Sequence, residues 1–155
     1  MIEPKPHIMI VEGRYYDDIQ DELLKGAVQV LEEEGATYET FTVPGAFEIP
    51  ATILYAARSL EHFAGHRRFD GFISLGCVIR GETSHYDHIC EEVSRGLMDL
   101  SLRYALALGF GVLTCESRDQ AMARAAVDQG NKGADAALAC MRMLAHKHHF
   151  HLYPR

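Results

Sequence analysis

Short apolar runs alternate with amphipathic segments along this chain of 155 residues. The first run, His7–Val11, is continuously apolar, as in strands that are buried on both faces of a sheet. The remaining runs that predict strands are Thr37–Val43, Gly71–Ile79 and Phe110–Thr114. This alternation is typical of a parallel sheet covered by helices.

The segments between these runs carry helical periodicity. After Gly13, apolar residues recur every four positions until Gly35, and Pro50 suits the first turn of a helix that runs to about Leu60. Ser117 and Gln120 have the spacing of a capping box, which predicts a helix through Arg124. A long helix after the third strand is marked by an apolar face of Ile89, Val93, Leu97 and Leu100. Asn131 is the predicted cap of a final helix, which carries Cys140, Met141 and Leu144.

The predicted fold class is α/β, a three-layer sandwich of flavodoxin-like type with about four parallel strands flanked by helices. We expect a single domain over residues 1–155, with residues 1–6 as a flexible arm. Ligands of such folds bind at the carboxyl ends of the strands. Here these ends are residues 13–16, 44–48, 80–85 and 115–117.

The composition of the chain excludes several classes of binding partner. With 22 acidic and 15 basic residues the formal charge is −7, which disfavours a non-specific nucleic-acid or anionic-membrane surface. No apolar run approaches the roughly 18 residues that span a bilayer, and we expect a cytoplasmic protein. The cysteines lack metal-site spacing, so we expect four reduced packing residues. The histidines between His146 and His151 resemble a metal-binding tract, but without accompanying acidic or cysteine ligands they favour a solvated, frayed helix end.

The turn after the third strand combines Arg80 and Gly81 with the hydroxyls of Thr83 and Ser84, and His85 follows them. Backbone N–H groups at a helix N-terminus bind anions, and a histidine there suits proton transfer. An ordinary helix cap with a surface histidine explains the segment equally well.

Three further places offer binding groups, each with a plain structural alternative. Glu48 can bind a polyol or be a solvated first-turn acid. Tyr15 can stack on a flat heterocycle or pack against the protein. Arg124 and Lys132 can meet a phosphate or remain solvated surface charges.

Several motifs together resemble those of the lumazine synthase family, in order and spacing from about His7 to Leu144. They are residues 43–50 (VPGAFEIP), 76–87 (GCVIRGETSHYD), 110–114 (FGVLT), 120–125 (QAMARA) and 130–133 (GNKG). The resemblance implies condensation of 5-amino-6-(D-ribitylamino)uracil with 3,4-dihydroxy-2-butanone 4-phosphate to 6,7-dimethyl-8-ribityllumazine, phosphate and water. It implies no metal and no organic cofactor, and it adds riboflavin synthase as a partner.

The resemblance also assigns roles. His85 is the expected general acid/base, and Arg124 is expected to hold the phosphate with the N–H groups around Glu82 and Thr83. Tyr15 stands where the family usually has a stacking Phe. The remaining expected contacts are Ala46, Phe47 and Glu48 with the ribityl chain and ring edge, Cys77, Val78 and Ile79 with the pyrimidine through backbone groups, and Phe110 and Lys132 closing the pocket.

Phe110 raises the question of assembly. It is predicted to begin its strand, which places it at the opposite edge of the sheet from His85 and Glu48. The resemblance implies that active sites form between neighbouring subunits of a homopentamer, and that some members pack pentamers into a shell.

Three departures from the family pattern stand out. Tyr15-Tyr16 replaces a usual Phe-Asn pair, which leaves room for altered stacking. Residues 126–130 differ from the turn associated with shell-forming members, so a free pentamer or a dimer of pentamers is at least as plausible as a shell. The connection Glu61–Arg68 looks longer than usual.

Two other classes share the fold. A non-catalytic flavin- or lumazine-binding protein would use the same stacking pocket without needing both His85 and Arg124, and a structural shell subunit would need neither. The presence of both residues favours the enzyme.

Overall fold

The computed structural model describes residues 5–62 and 69–152, and the side chains within them except for those of residues 60–62. The elements follow in the order β1 (His7–Gly13), α1 (Asp17–Glu33), β2 (Thr37–Val43), a 3₁₀ turn (Ala46–Glu48), α2 (Ile49–His62), β3 (Gly71–Ile79), α3 (His85–Arg103), β4 (Ala107–Cys115), α4 (Arg118–Ala125) and α5 (Lys132–His149). The connection 61–68 lies largely outside these residues, as do residues 1–4 of the predicted arm. Pro6 is buried, and its carbonyl accepts the N–H of Thr37.

Four parallel strands form one sheet in the order β2-β1-β3-β4, which confirms the predicted flavodoxin-like α/β class. Alternate residues of β1 enter different cores: Ile8 and Ile10 pack with α1, α4 and α5, whereas Met9 and Val11 pack with α2 and α3. The sheet is therefore the middle of three layers. None of the helices in the described ranges is long and apolar enough to cross a membrane.

The bounds of β2 and β3 match their predictions, but the predicted start of β4 does not match the structure. It begins at Ala107, so Phe110 is its fourth residue and pairs with Ser74 in the middle of β3. The prediction that Phe110 begins its strand is wrong, because the small residues Ala107 and Gly109 contribute little hydrophobic signal yet still pair with β3.

Both ends of α5 can be compared with their predictions. Asn131 occupies the cap position of α5 with a left-handed backbone (φ 49°), but its side chain makes no capping bond and its Oδ1 is buried without a hydrogen-bond partner. The histidine-rich segment is an exposed helix end: α5 remains helical to His149, and His151 lies beyond it. Within the described residues no group of three or more His, Cys, Asp or Glu side chains could hold a metal ion.

A close backbone contact fixes one end of β1. A Cβ on Gly13 would lie 2.7 Å from the carbonyl carbon of Gly45 and 2.8 Å from the amide nitrogen of Ala46. These distances leave no room for a side chain. The turn after β2 therefore packs directly against the end of β1.

Candidate active site

The carboxyl ends of β1, β2 and β3 border a pocket of about 670 Å³, which we call the first pocket. Its wall holds most of the site residues that the sequence predicts. They are Tyr15, Ala46, Phe47, Glu48, Cys77, Val78, Ile79, Thr83 and His85. Tyr16, Pro44, Gly45, Gly81, Tyr86 and Ile89 complete it.

A second pocket of about 340 Å³ lies along β4, which is an outer strand of the sheet. It is lined by Phe110, Arg124 and Lys132 together with Asp135, Ala136 and residues 111–114. The two linings share no residue. The predicted site residues are thus divided between two pockets, and Glu82 lines neither of them.

His85 and Glu48 supply titratable side chains to the first pocket. His85 begins α3, is exposed, and donates its backbone N–H to Thr83 Oγ1 at 3.3 Å. Its imidazole forms no hydrogen bond with any described residue, so both ring nitrogens are available to a ligand. The Glu48 carboxylate accepts the Gly45 N–H at 3.1 Å, which orients it while leaving one oxygen open.

Aromatic and strand residues form the rest of the wall. Tyr15 and Phe47 are 73% and 59% exposed as residues, so each has aromatic surface available to a flat ligand. Cys77 is 7% exposed. Burial, with a smaller effect from the neighbouring Cys115, raises the pKa of the Cys77 thiol to about 12. Cys77 is therefore a neutral wall residue and not a nucleophile.

The second pocket is cationic at one end. Arg124 donates from Nη1 to the carbonyl of Gln120 at 3.2 Å and has no carboxylate partner among the described residues. Lys132 Nζ pairs with Asp135 at 3.0 Å. Phe110 is 48% exposed although it lies within a strand. A guanidinium beside an exposed aromatic ring suits the binding of a phosphorylated ligand, especially where another protein surface covers the ligand.

An ion-paired network supports the loop that carries Tyr15. The Glu12 carboxylate, 4% exposed, accepts both Nε and Nη2 of Arg14 at 3.2 Å. The Arg14 guanidinium also donates to Asp17 and Asp21 in α1. The hydrogen bond to Glu12 makes the largest contribution to raising the pKa of Arg14, and burial opposes it.

Sequence reasoning did not find Tyr86 or Asp135. Tyr86 is buried and follows His85 directly, so only its position beside a candidate residue could have indicated it. Asp135 lies three residues after Lys132, which is the spacing of a helical ion pair. All four cysteines are free, three of them buried, as expected for reduced packing residues.

The chain is similar to known proteins over nearly its whole length. The model of the 6,7-dimethyl-8-ribityllumazine synthase family matches residues 5–148. The chain is 48% identical over 145 residues to the 6,7-dimethyl-8-ribityllumazine synthase of Bartonella bacilliformis, covering 94% of this chain and 92% of that protein. It is 50% identical to the 6,7-dimethyl-8-ribityllumazine synthase 1 of Rhizobium meliloti, over 93% and 94% of the two chains. Identity to the Agrobacterium fabrum 6,7-dimethyl-8-ribityllumazine synthase is 49%, over 90% of this chain and 93% of that one. With a family match over nearly its whole length and close relatives of similar size, the chain belongs to the 6,7-dimethyl-8-ribityllumazine synthase family.

Proposed function

We propose that this chain condenses 5-amino-6-(D-ribitylamino)uracil with 3,4-dihydroxy-2-butanone 4-phosphate, giving 6,7-dimethyl-8-ribityllumazine, phosphate and water, in sites between subunits. One observation carries the proposal. Stacking, polyol-binding and proton-transfer groups line the first pocket, whereas the phosphate-binding cations line the second. The reaction needs both sets.

The first pocket suits the uracil substrate. Tyr15 stacks on the pyrimidine, and the free oxygen of Glu48 accepts hydrogen bonds from the ribityl hydroxyls. Backbone groups of Cys77, Val78 and Ile79 at the end of β3 bind the ring edge. Ala46 and Phe47 border the ribityl chain.

The chemistry requires proton transfers that His85 is placed to make. Imine formation between the amine and the ketone expels water, and loss of the phosphate and ring closure each move another proton. A histidine with both ring nitrogens free and a place at the pocket wall serves as general acid and base for these steps. Holding the two reactants together contributes the rest of the acceleration.

Arg124 and Lys132 are assigned to the phosphate, together with the N–H groups around Glu82 and Thr83. The overall charge of −7 opposes the approach of an anion, so such a substrate depends on a few placed cations. Arg124, which has no described carboxylate partner, is the stronger of the two for this role because its guanidinium binds two phosphate oxygens at once.

Since the two pockets share no residue, a complete site forms when the first pocket of one subunit meets the second pocket of its neighbour. Such a head-to-tail contact generates a closed ring when the rotation closes. We infer a homopentamer, either free, paired into a dimer of pentamers or assembled into a shell, in a cytoplasmic enzyme whose product passes to riboflavin synthase.

The activity is tested by mixing the purified protein with both substrates and following the absorbance and fluorescence of the lumazine product. Formation faster than the uncatalysed background supports the proposal. No acceleration would favour the alternative, a non-catalytic flavin- or lumazine-binding or shell-forming protein of the same fold.

The shared site is tested by mixing two defective variants. His85→Ala damages only the first pocket, and Arg124→Ala damages only the second. Unfolding and refolding them together at equal amounts should place both intact residues in about a quarter of the sites of a head-to-tail ring. With the butanone phosphate well below its KM, where both variants are defective, recovery to about that fraction of wild-type activity is expected. Each variant refolded alone is the control. A mixture no more active than its components would contradict a site between subunits.

A further inference from the structure

Tyr16 lies between the exposed Tyr15 and the protein interior. It is half-buried and packs against the core that α1, α4 and α5 share, yet it also lines the first pocket. Burial makes the largest contribution to raising the pKa of its hydroxyl. Tyr16 is therefore a ring with one part in the core and another part at the site.

The two tyrosine rings are in edge contact. Their centroids are 4.9 Å apart and their planes are inclined at 72°, the T-shaped arrangement that aromatic pairs favour. Tyr15 has little else to hold it, because 73% of the residue is exposed. The contact with the Tyr16 ring thus restricts the orientations open to Tyr15.

Tyr16 is itself held by a charged pair from two helices. The guanidinium carbon of Arg118, the first residue of α4, is 5.6 Å from the Tyr16 ring centroid. Arg118 also forms an ion pair with Asp18 in the first turn of α1. The hydrogen bond from Arg118 holds the pKa of Asp18 below its usual value. Tyr16 therefore sits where the starts of α1 and α4 meet.

We propose that Tyr16 is a positioning residue that fixes the Tyr15 ring for stacking on the heteroaromatic substrate, and that the Arg118–Asp18 pair fixes Tyr16 in turn. This inference rests on the proposed function, because it assigns Tyr15 to the pyrimidine. A pre-oriented ring loses less rotational freedom when the substrate binds, so the gain appears in affinity for the pyrimidine and not for the phosphate substrate.

The test compares Tyr16→Leu, which removes the ring, with Tyr16→Phe, which removes only the hydroxyl. Affinity for 5-amino-6-(D-ribitylamino)uracil is measured by calorimetry, and KM is measured for both substrates. Tyr16→Leu should raise Kd and KM for the uracil about three- to tenfold, the range that edge-to-face pairs support. KM for the butanone phosphate should stay within about twofold, and Tyr16→Phe should match the wild type.

A double substitution separates positioning from ordinary packing. If Tyr16 acts through Tyr15, the loss caused by Tyr16→Leu disappears once Tyr15 is already alanine, because coupled residues are not additive. The Tyr15→Ala/Tyr16→Leu protein should then bind the uracil as Tyr15→Ala does. Additive losses would overturn the proposal, and so would an equal loss in Tyr16→Phe, which would assign the hydroxyl a direct substrate contact.

Arg118→Gln keeps the proposal testable if Tyr16→Leu does not fold. It removes an exposed ion pair and the contact with the Tyr16 ring without emptying space in the core. Kd for the uracil should rise about two- to threefold, with Arg95→Gln as the matched control on α3. An Arg118→Gln value equal to that of Arg95→Gln would overturn the role of the pair. Failure of the proposed function is distinct, because the wild type would then form no lumazine faster than the uncatalysed background, whatever the variants bind.

Discussion

The guanidinium carbon of Arg80 lies 4.3 Å from the centroid of the Tyr86 ring. The same guanidinium donates to Glu116 from Nε at 2.8 Å and pairs with Asp87 at 3.3 Å. Arg80 thereby connects the end of β3, the first turn of α3 and the residue after β4. His85 begins that helical turn, so Arg80 holds the segment that presents the proposed acid/base.

Replacing Arg80 with Gln should lower kcat about three- to tenfold, because it removes the cation–π contact and the ion pairs that hold this turn. Arg80→Lys keeps the charge and should recover part of the loss. Steady-state kinetics provide the measurement. Arg95→Gln, which removes pairs with Glu92 and Asp99, is the control and should leave kcat unchanged. Equal kcat values in Arg80→Gln and Arg95→Gln would contradict the role.

His85→Ala should slow turnover up to about 100-fold without abolishing it. General acid/base groups contribute on the order of 10²–10⁴, and the lower end applies here because the amine and ketone already condense slowly unaided. The rate of lumazine formation at saturating substrates is the measurement. An unchanged rate would remove His85 from the mechanism.

Arg124→Ala should weaken binding of the phosphate substrate with little effect on the uracil. A charge-assisted hydrogen bond contributes about 1.5–3 kcal/mol, so KM for the butanone phosphate should rise about ten- to 100-fold. Measuring KM for each substrate separately provides the internal control. The assignment fails if both KM values stay at the wild-type level.

The thiol of Cys77 should resist alkylation at pH 8. Only the thiolate reacts, and raising the pKa from 9 to about 12 lowers the thiolate fraction at that pH roughly a thousandfold. Reactivity should increase as the pH rises from 8 to 10. Brief exposure to iodoacetamide followed by peptide mass spectrometry tests this, with the half-buried Cys90 as the internal comparison. Preferential labelling of Cys77 at pH 8 would contradict it.

Arg14→Ala should lower the free energy of unfolding by about 3 kcal/mol, because it leaves the Glu12 carboxylate buried without its cation. Adding Glu12→Gln should restore part of this loss by removing the charge. Urea denaturation is the measurement. Arg95→Ala, which removes only exposed ion pairs, is the control and should lower the free energy of unfolding much less. A similarly small loss in Arg14→Ala would show that the pair is not stabilising.

Much of the fold could be predicted because apolar periodicity is a local signal. Thr37–Val43 and Gly71–Ile79 are bounded by turn residues, and their predicted limits match the strands. β4 was placed too short because Ala107 and Gly109 join the sheet through backbone pairing, which hydrophobicity does not report. Asn131 has the residue type of a cap, yet the left-handed backbone turns its side chain away from that role.

The candidate site was predictable only in part. Residues at strand ends, such as Glu48 and His85, follow from the rule that parallel strands end at one edge. The division into two pockets follows from the order of the strands in space, and contacts such as Arg118 on Tyr16 join residues about 100 positions apart. Patterns of neighbouring residues in the sequence carry no information about contacts over such sequence separations.

Gly13 shows that a residue can be intolerant of substitution without taking part in the chemistry. Its missing side chain lets the Pro44–Glu48 turn lie against β1, and this contact sets the depth of the wall that holds Ala46 and Phe47. Any larger residue at position 13 would move that wall outward without touching a substrate. A mutational survey of the chain should find both Gly13 and His85 intolerant of substitution. The reasons differ, because Gly13 is needed for backbone packing and His85 for proton transfer.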